Sequence, residues 1–403
     1  MRDNPERLAW IILLVSFFTC VSSALAVPLG ARSIILYANV RQTVTLDVQR
    51  PPLRVTMGGR GAPVAIDQSS EIPERSIIAT DTTAGRLVFQ VADQDLTVAS
   101  VQIYDNTQIE VISARSPRYN SSPLPHKVTI AVTEGRARIN VADDDLRPIE
   151  AEVETPHCTL MLVEGSYEVK VNNAETEITV RNGQAAVSTD DGQSLPLGPA
   201  QRAFVDGVRI EGPLPSSRNL VENGDFETPF EGTWTAYHGE KQEPPATVEI
   251  VTNEGTEAAR FHRLGTNHAE VGIYQDIDYD VRDFAYLELR MNVQVVEENI
   301  AGFGGCGTLS SECPIAARIE YKDIYGTDRE WLQGFYIDEP APDWLIYPWT
   351  QQIPAQNWQS YDSGNLMEAL TDTPPAIIKR VTLYASGHTF DAMVREVELL
   401  AEE

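Results

Sequence analysis

Basic residues are scarce in this chain: 31 Lys and Arg stand against 59 Asp and Glu, a formal net charge of −28. A surface of that sign repels a phosphate backbone, which excludes nucleic acid as a partner. Catalytic signatures are missing too. There is no G-x-S-x-G, no H-E-x-x-H, no P-loop and no dinucleotide fingerprint, and the six His are scattered. Carboxylate pairs of the kind that hydrolyse glycosides arise by coincidence in so acidic a chain, so no enzyme is expected. Cysteine is rare, at four residues. Cys20 sits in an apolar run and reads as a small hydrophobe. Cys158, beside His157, has no sequence partner and reads as a buried inert thiol. Cys306 and Cys313 bracket a loop-like segment and would pair as a disulfide in an exported chain. Without a nearby His they fall short of a tetrahedral metal site.

Charge is missing altogether from residues 8–31, LAWIILLVSFFTCVSSALAVPLGA. At about 1.5 Å per residue this run covers a hydrocarbon core of about 30 Å. The small residues Ser23-Ala24-Leu25-Ala26 suit a cleavable signal peptide, but the run is longer than the roughly 7–15 apolar residues such peptides use. Apolar character also resumes at Ser33-Ile34-Ile35-Leu36-Tyr37. The expectation is a transmembrane signal anchor at 8–31, after a short cytoplasmic tail at 1–7 and before a linker and first strand at 32–50. Arg2 and Arg7 are offset by Asp3 and Glu6, so flanking charge says little about topology. The large remainder would be extracytoplasmic, on a single-pass protein of the cell membrane.

Residues 51–212 read as strand after strand of period two, such as Arg86-Leu87-Val88-Phe89-Gln90-Val91 and Lys127-Val128-Thr129-Ile130-Ala131-Val132. Each run spans about five or six residues, and nothing of comparable length has helical spacing. Glycine follows a polar residue at Glu134-Gly135, Glu164-Gly165 and Asn182-Gly183, which suggests hairpins or bulges between strands. A sandwich, a barrel or a solenoid of short strands would fit. The segment Val153-Glu154-Thr155-Pro156 through Glu164-Gly165-Ser166-Tyr167, then Ile178-Thr179-Val180-Arg181-Asn182-Gly183 and Leu195-Pro196-Leu197-Gly198, resembles the extracytoplasmic domain of the FecR family over about residues 75–205. The resemblance implies a fold and a compartment. It does not carry over sigma-factor regulation, because the tail expected before the span has no room for a folded domain.

A Pro- and Ser-rich linker at 213–218 separates this region from a final domain at 219–403. The change in composition is sharp, since residues 218–403 carry 12 basic and 33 acidic side chains, net −21. Asn219-Leu220-Val221-Glu222-Asn223-Gly224-Asp225-Phe226-Glu227, with Trp234 beyond, resembles the opening strand of galactose-binding-like jelly rolls, including carbohydrate-binding modules. That resemblance implies a β-sandwich. It marks Asp225, Glu227 and Glu396 as positions for a structural Ca²⁺, which would need about six to eight oxygen ligands. The bland alternative is a turn and exposed strand carboxylates. Aromatic residues cluster between 331 and 361, and core packing accounts for most of them, Trp358 included. Trp344, Trp349, Tyr347 and Trp331 are the candidates to stack on a sugar face.

The expectation is therefore an all-β protein behind a membrane helix that binds a ligand without catalysis, with carbohydrate the favoured class. The rival is a structural or protein-interaction component of the cell envelope.

Overall fold

A computed structural model describes residues 5–92, 96–144, 146–239, 243–299, 306, 312–340 and 346–402. The chain forms two compact units, Met1–Ser216 and Ser217–Glu403.

The first unit opens with one helix, Pro5–Tyr37. Its segment Ala9–Tyr37 is long and apolar enough to cross a membrane, and its most apolar stretch is wholly exposed. The helix runs six residues past the expected end at Ala31. Arg32 is a good helix former, and Ser33-Ile34-Ile35-Leu36-Tyr37 contains no breaker. The stretch expected as a linker is thus helical up to Tyr37. Strand Asn39–Arg41 follows at once, pairing with the end of Gln108–Pro117. The β region also begins earlier than residue 51, because Thr43–Arg50 pairs along Ala84–Gln90 with Val44 and Leu46 buried. At the other end, the expected linker at 213–218 is partly strand: Ile210–Pro215 pairs with Gln201–Val205.

Three strands of this unit are long: His126–Val141, Thr159–Val171 and Thr176–Ser188. Gly135, Gly165 and Gly183 lie within them at φ of 89°, 146° and 90°. They do not join separate short strands, as the local sequence suggested; each is a bend inside one continuous strand. Every long strand changes at least one of its partners at its bend. His126–Ala131 lies between Gln108–Pro117 and, in parallel, Ile149–Glu154, whereas Gly135–Val141 lies between Thr97–Ile103 and Gly165–Val171. The two halves of the other bent strands divide in the same way. The result is a sandwich of two layers that share three strands. One continuous core fills it, with Val128, Ile130, Ile139, Val153, Leu160, Val169, Ile178 and Val187 among its buried residues.

Tyr167 stitches the bends together. Its buried hydroxyl accepts the Gln184 N–H at 3.0 Å and lies 2.9 to 3.1 Å from the carbonyls of Gln184, Val163 and Glu164. A Cβ at Gly183 would collide with Glu164 O and the Tyr167 hydroxyl, so only glycine fits there.

The second unit is a β-sandwich of two six-stranded sheets. The first sheet runs Thr247–Asn253, Thr256–Arg263, Thr389–Glu402, Tyr286–Asn299, Gln359–Asp362, with Arg218–Asn219 beside Thr389–Glu402. The second runs Thr235–His238, Ala269–Asp280, Pro375–Gly387, Cys313–Asp323, Asp328–Tyr336, Thr350–Gln352. Alternate residues face a shared core, among them Leu289, Val293, Val394 and Leu399 from one sheet and Ile273, Ile319, Val381 and Leu383 from the other. The N-G-D-F segment closes one end of that core. Gly224 presses against Val397 O, Asn223 and Phe226 take positive φ, and Trp234 donates its indole N–H to Asn223 O at 3.0 Å.

Candidate functional site

The second sheet of the C-terminal unit turns its other set of alternate residues outward. Register places them in three rows across five strands. The first row is Tyr237, Gly272, Tyr384, Ala316 and Gly334. The second is Tyr274, Thr382, Arg318 and Leu332, and the third is Asp276, Arg380, Glu320 and Glu330.

The first row is largely covered. Gly272 leaves room for the Tyr237 ring, whose hydroxyl donates to Glu270 Oε1 at 2.9 Å. Burial, with the Glu270 charge second, pushes the Tyr237 phenol up. Tyr384 is buried, which holds its phenol at about 12. At the far end a Cβ on Gly334 would lie 2.6 Å from Cys313 Sγ and 3.0 Å from Trp349 Cζ3. Cys306 and Cys313 are joined in a disulfide that packs here with Tyr336 and Trp349.

The second and third rows are more open. The Arg380 guanidinium lies 4.0 Å over the Tyr274 ring, while its Nε donates to Asp276 Oδ1 at 2.7 Å and sits 3.7 Å from Glu320 Oε2. The hydrogen bond to Asp276 holds Arg380 above its ordinary range. Arg318 stacks 5.3 Å over Tyr384. Its Nε and the Thr382 hydroxyl are buried with no hydrogen-bond partner among the described residues. A groove of about 780 Å³ takes in the third row and continues between Asp278, Lys379, Asp328 and Arg329. Flat rings and guanidinium planes offer stacking surfaces, and the carboxylates and guanidinium N–H groups can accept from and donate to hydroxyls.

The residues picked from sequence fall elsewhere or at the margin. Trp331 packs against the sandwich core, beside Ile319, and so lies on the wrong face of its strand. Period two decides this, because Glu330 and Leu332 take the outward positions. Tyr347 and Trp349 stack with centroids 5.6 Å apart, half-buried at the sheet edge. Trp344 lies outside the described residues. Trp358 is not a core residue: its indole donates to Asn253 Oδ1 at 3.1 Å on the first sheet, beneath the Arg395 guanidinium at 4.1 Å.

The proposed calcium residues are not assembled into a ligand set. Asp225 Oδ1 accepts the Glu227 N–H, Glu396 accepts from Asn292, and no group of three or more His, Cys, Asp or Glu is placed to hold a metal among the described residues. Cys158 is buried 3.4 Å from Thr155 Oγ1, and burial pushes its thiol up, away from the reactive thiolate.

No protein-family model matches the chain, and no curated protein does. Solved structures similar to parts of it include one described as an anti-sigma factor from Parabacteroides distasonis, at 20% identity and TM-score 0.24, covering 33% of this chain. The chain spans 57% of that protein's length. A family 11 carbohydrate-binding module from Clostridium thermocellum, solved with a β-1,3-1,4-mixed-linked tetrasaccharide, is 16% identical over 43% of this chain and 91% of its own, with TM-score 0.27. A xylan-binding domain from Paenibacillus barcinonensis is 10% identical over 46% of this chain and 93% of its own, with TM-score 0.25. At these scores the likenesses carry no argument about this chain's ligand.

Tyr237, Tyr274, Arg318 and Arg380 form no cluster in the sequence, since they are spread over four strands. The available signal was a polar stripe of period two. Arg318 and Glu320 alternate with Ala317 and Ile319, and Arg380 and Thr382 alternate with Val381 and Leu383.

Proposed function

We propose that this protein binds carbohydrate without catalysis, held at a membrane by the helix Pro5–Tyr37, with the ligand on the outer face of the second sheet of the C-terminal unit. The observation that carries this reading is the juxtaposition of the Tyr274–Arg380 stack with the open polar groove lined by Asp276, Glu320, Arg329 and Lys379. An amphipathic ligand bearing hydroxyls meets both halves of that surface. The groove is open and polar rather than a dry pocket, which supports binding over catalysis.

The test uses the full chain in nanodiscs on a glycan array, in calcium and in EDTA. Saturable binding should fall at least tenfold in Tyr274→Ala and in Arg380→Gln, with Trp358→Ala on the other sheet as a control that retains it. Binding by neither the parent nor the control, with both folded, would sink the reading. The charged groove favours a second reading, a protein partner in the cell envelope, because ion pairs such as Lys379–Asp278 line it.

A further inference from the structure

The foot of the long helix is a strongly basic place that the sequence pattern and the fold build together. Residues 32–46 contain Arg32 and Arg41 and no acidic residue; residues 111–133 contain Arg115, Arg118 and Lys127 and again none. The fold joins these two acid-free segments of a chain whose net charge is −28. Arg118 N–H donates to Ala38 O at 2.9 Å, Ser122 Oγ donates to Leu36 O at 2.6 Å, and Arg41 is the register partner of Arg115. The loop that carries Tyr119 is held against the helix end by Arg147, which donates to the carbonyls of Ser122 and Leu124 at 2.8 and 2.5 Å.

The acids that reach this rim from elsewhere are already engaged. Glu74 pairs with Arg41 and Arg115, and Glu152 with Lys127. Asp144 faces His126 at 3.6 Å. Arg32 and Arg118 are exposed and make no ion pair with a carboxylate among the described residues. Tyr37 and Tyr119 are exposed beside them. Two arginines and two tyrosines exposed at the end of an apolar helix match the chemistry of the bilayer interface.

We propose that this rim binds the anionic headgroups of the bilayer that the helix crosses. With residues 8–31 filling the hydrocarbon, Arg32 emerges at headgroup level, and the hydrogen bonds above hold Arg118 and Tyr119 beside Leu36 and Ala38, about 6–9 Å further along, from where a long arginine side chain reaches back to the headgroups. Each arginine near an anionic surface contributes about 1 kcal/mol, close to fivefold in affinity. This inference rests on the anchored reading above.

The experiment places the full chain in nanodiscs of phosphatidylcholine alone and of equal parts phosphatidylcholine and phosphatidylglycerol. Hydrogen exchange at the amides of residues 118–122 should be about tenfold slower in the anionic discs, and raised salt should remove the difference. The double variant Arg32→Gln, Arg118→Gln should lose the dependence on lipid. Arg50→Gln, at the far end of strand Thr43–Arg50, should keep it. Equal exchange in the two lipids, or a lipid dependence that persists in the double variant, overturns the inference and leaves the anchor standing. A chain that does not co-elute with discs of either composition overturns the anchor and this inference together.

Discussion

Glu298 is a carboxylate buried at the end of its strand, where its oxygens accept the N–H groups of Asp338 and Ile337 at 2.6 and 3.1 Å. Burial outweighs those bonds and raises its pKa to about 7. The unfolded chain releases the proton near pH ~4.3 and the folded chain near 7, so between them folding retains a proton and stability falls as pH rises. The full cost, on the order of 3 kcal/mol, is present above the folded value and absent below the unfolded one. Urea titrations of the parent and Glu298→Gln should therefore converge near pH ~4 and separate in favour of the variant towards pH ~8. A difference independent of pH would contradict this account. Arg263 is also buried but needs no acid, since it donates to the carbonyls of Pro244, Gly387 and His388 and to Asn267. Arg263→Met should cost about 3–5 kcal/mol in the same assay, because it strands those acceptors. Neither role was legible in the sequence, where Glu298 and Arg263 look like surface residues of alternating strands; the partners lie far along the chain or in turns.

Among the elements, the bent strands separate what glycine does through φ from what it does through space. Gly183 and Gly192 share a φ of 90°, yet a Cβ at Gly192 meets nothing within 4 Å while one at Gly183 runs into Glu164 O. Gly192→Ala should cost about 1 kcal/mol and Gly183→Ala several more, read as the shift in denaturation midpoint. Similar losses at both sites would refute the steric argument. The need for glycine at these positions was visible locally, and so were the strands on either side. Whether the chain reverses or merely bends was not, because only the register with Thr97–Ile103 and Ile149–Glu154 decides it. The same limit applies to the helix: its apolar run was plain, but its continuation to Tyr37 was not, because Pro28 and Gly30 are local breakers that the helix passes through.

For the whole molecule, the all-β architecture and the apolar helix were readable from periodicity and composition, while the candidate face was not. Its residues at 237, 274, 318 and 380 form no motif, and a face assembled across strands has no contiguous sequence. The disulfide Cys306–Cys313 packs against one end of that face. Reducing it should lower the stability of the C-terminal unit by about 2–3 kcal/mol and change the Trp349 fluorescence. An unchanged midpoint in reducing buffer would mean that the disulfide is not coupled to the fold. Only Ala38 separates the end of the helix from the strand Asn39–Arg41, which is paired from its first residue. Such a joint has no slack. On the anchored reading proposed above, tilt of the helix would be delivered as torque to the edge of the sandwich, and bilayer thickness and lateral tension would become mechanical inputs to the folded unit.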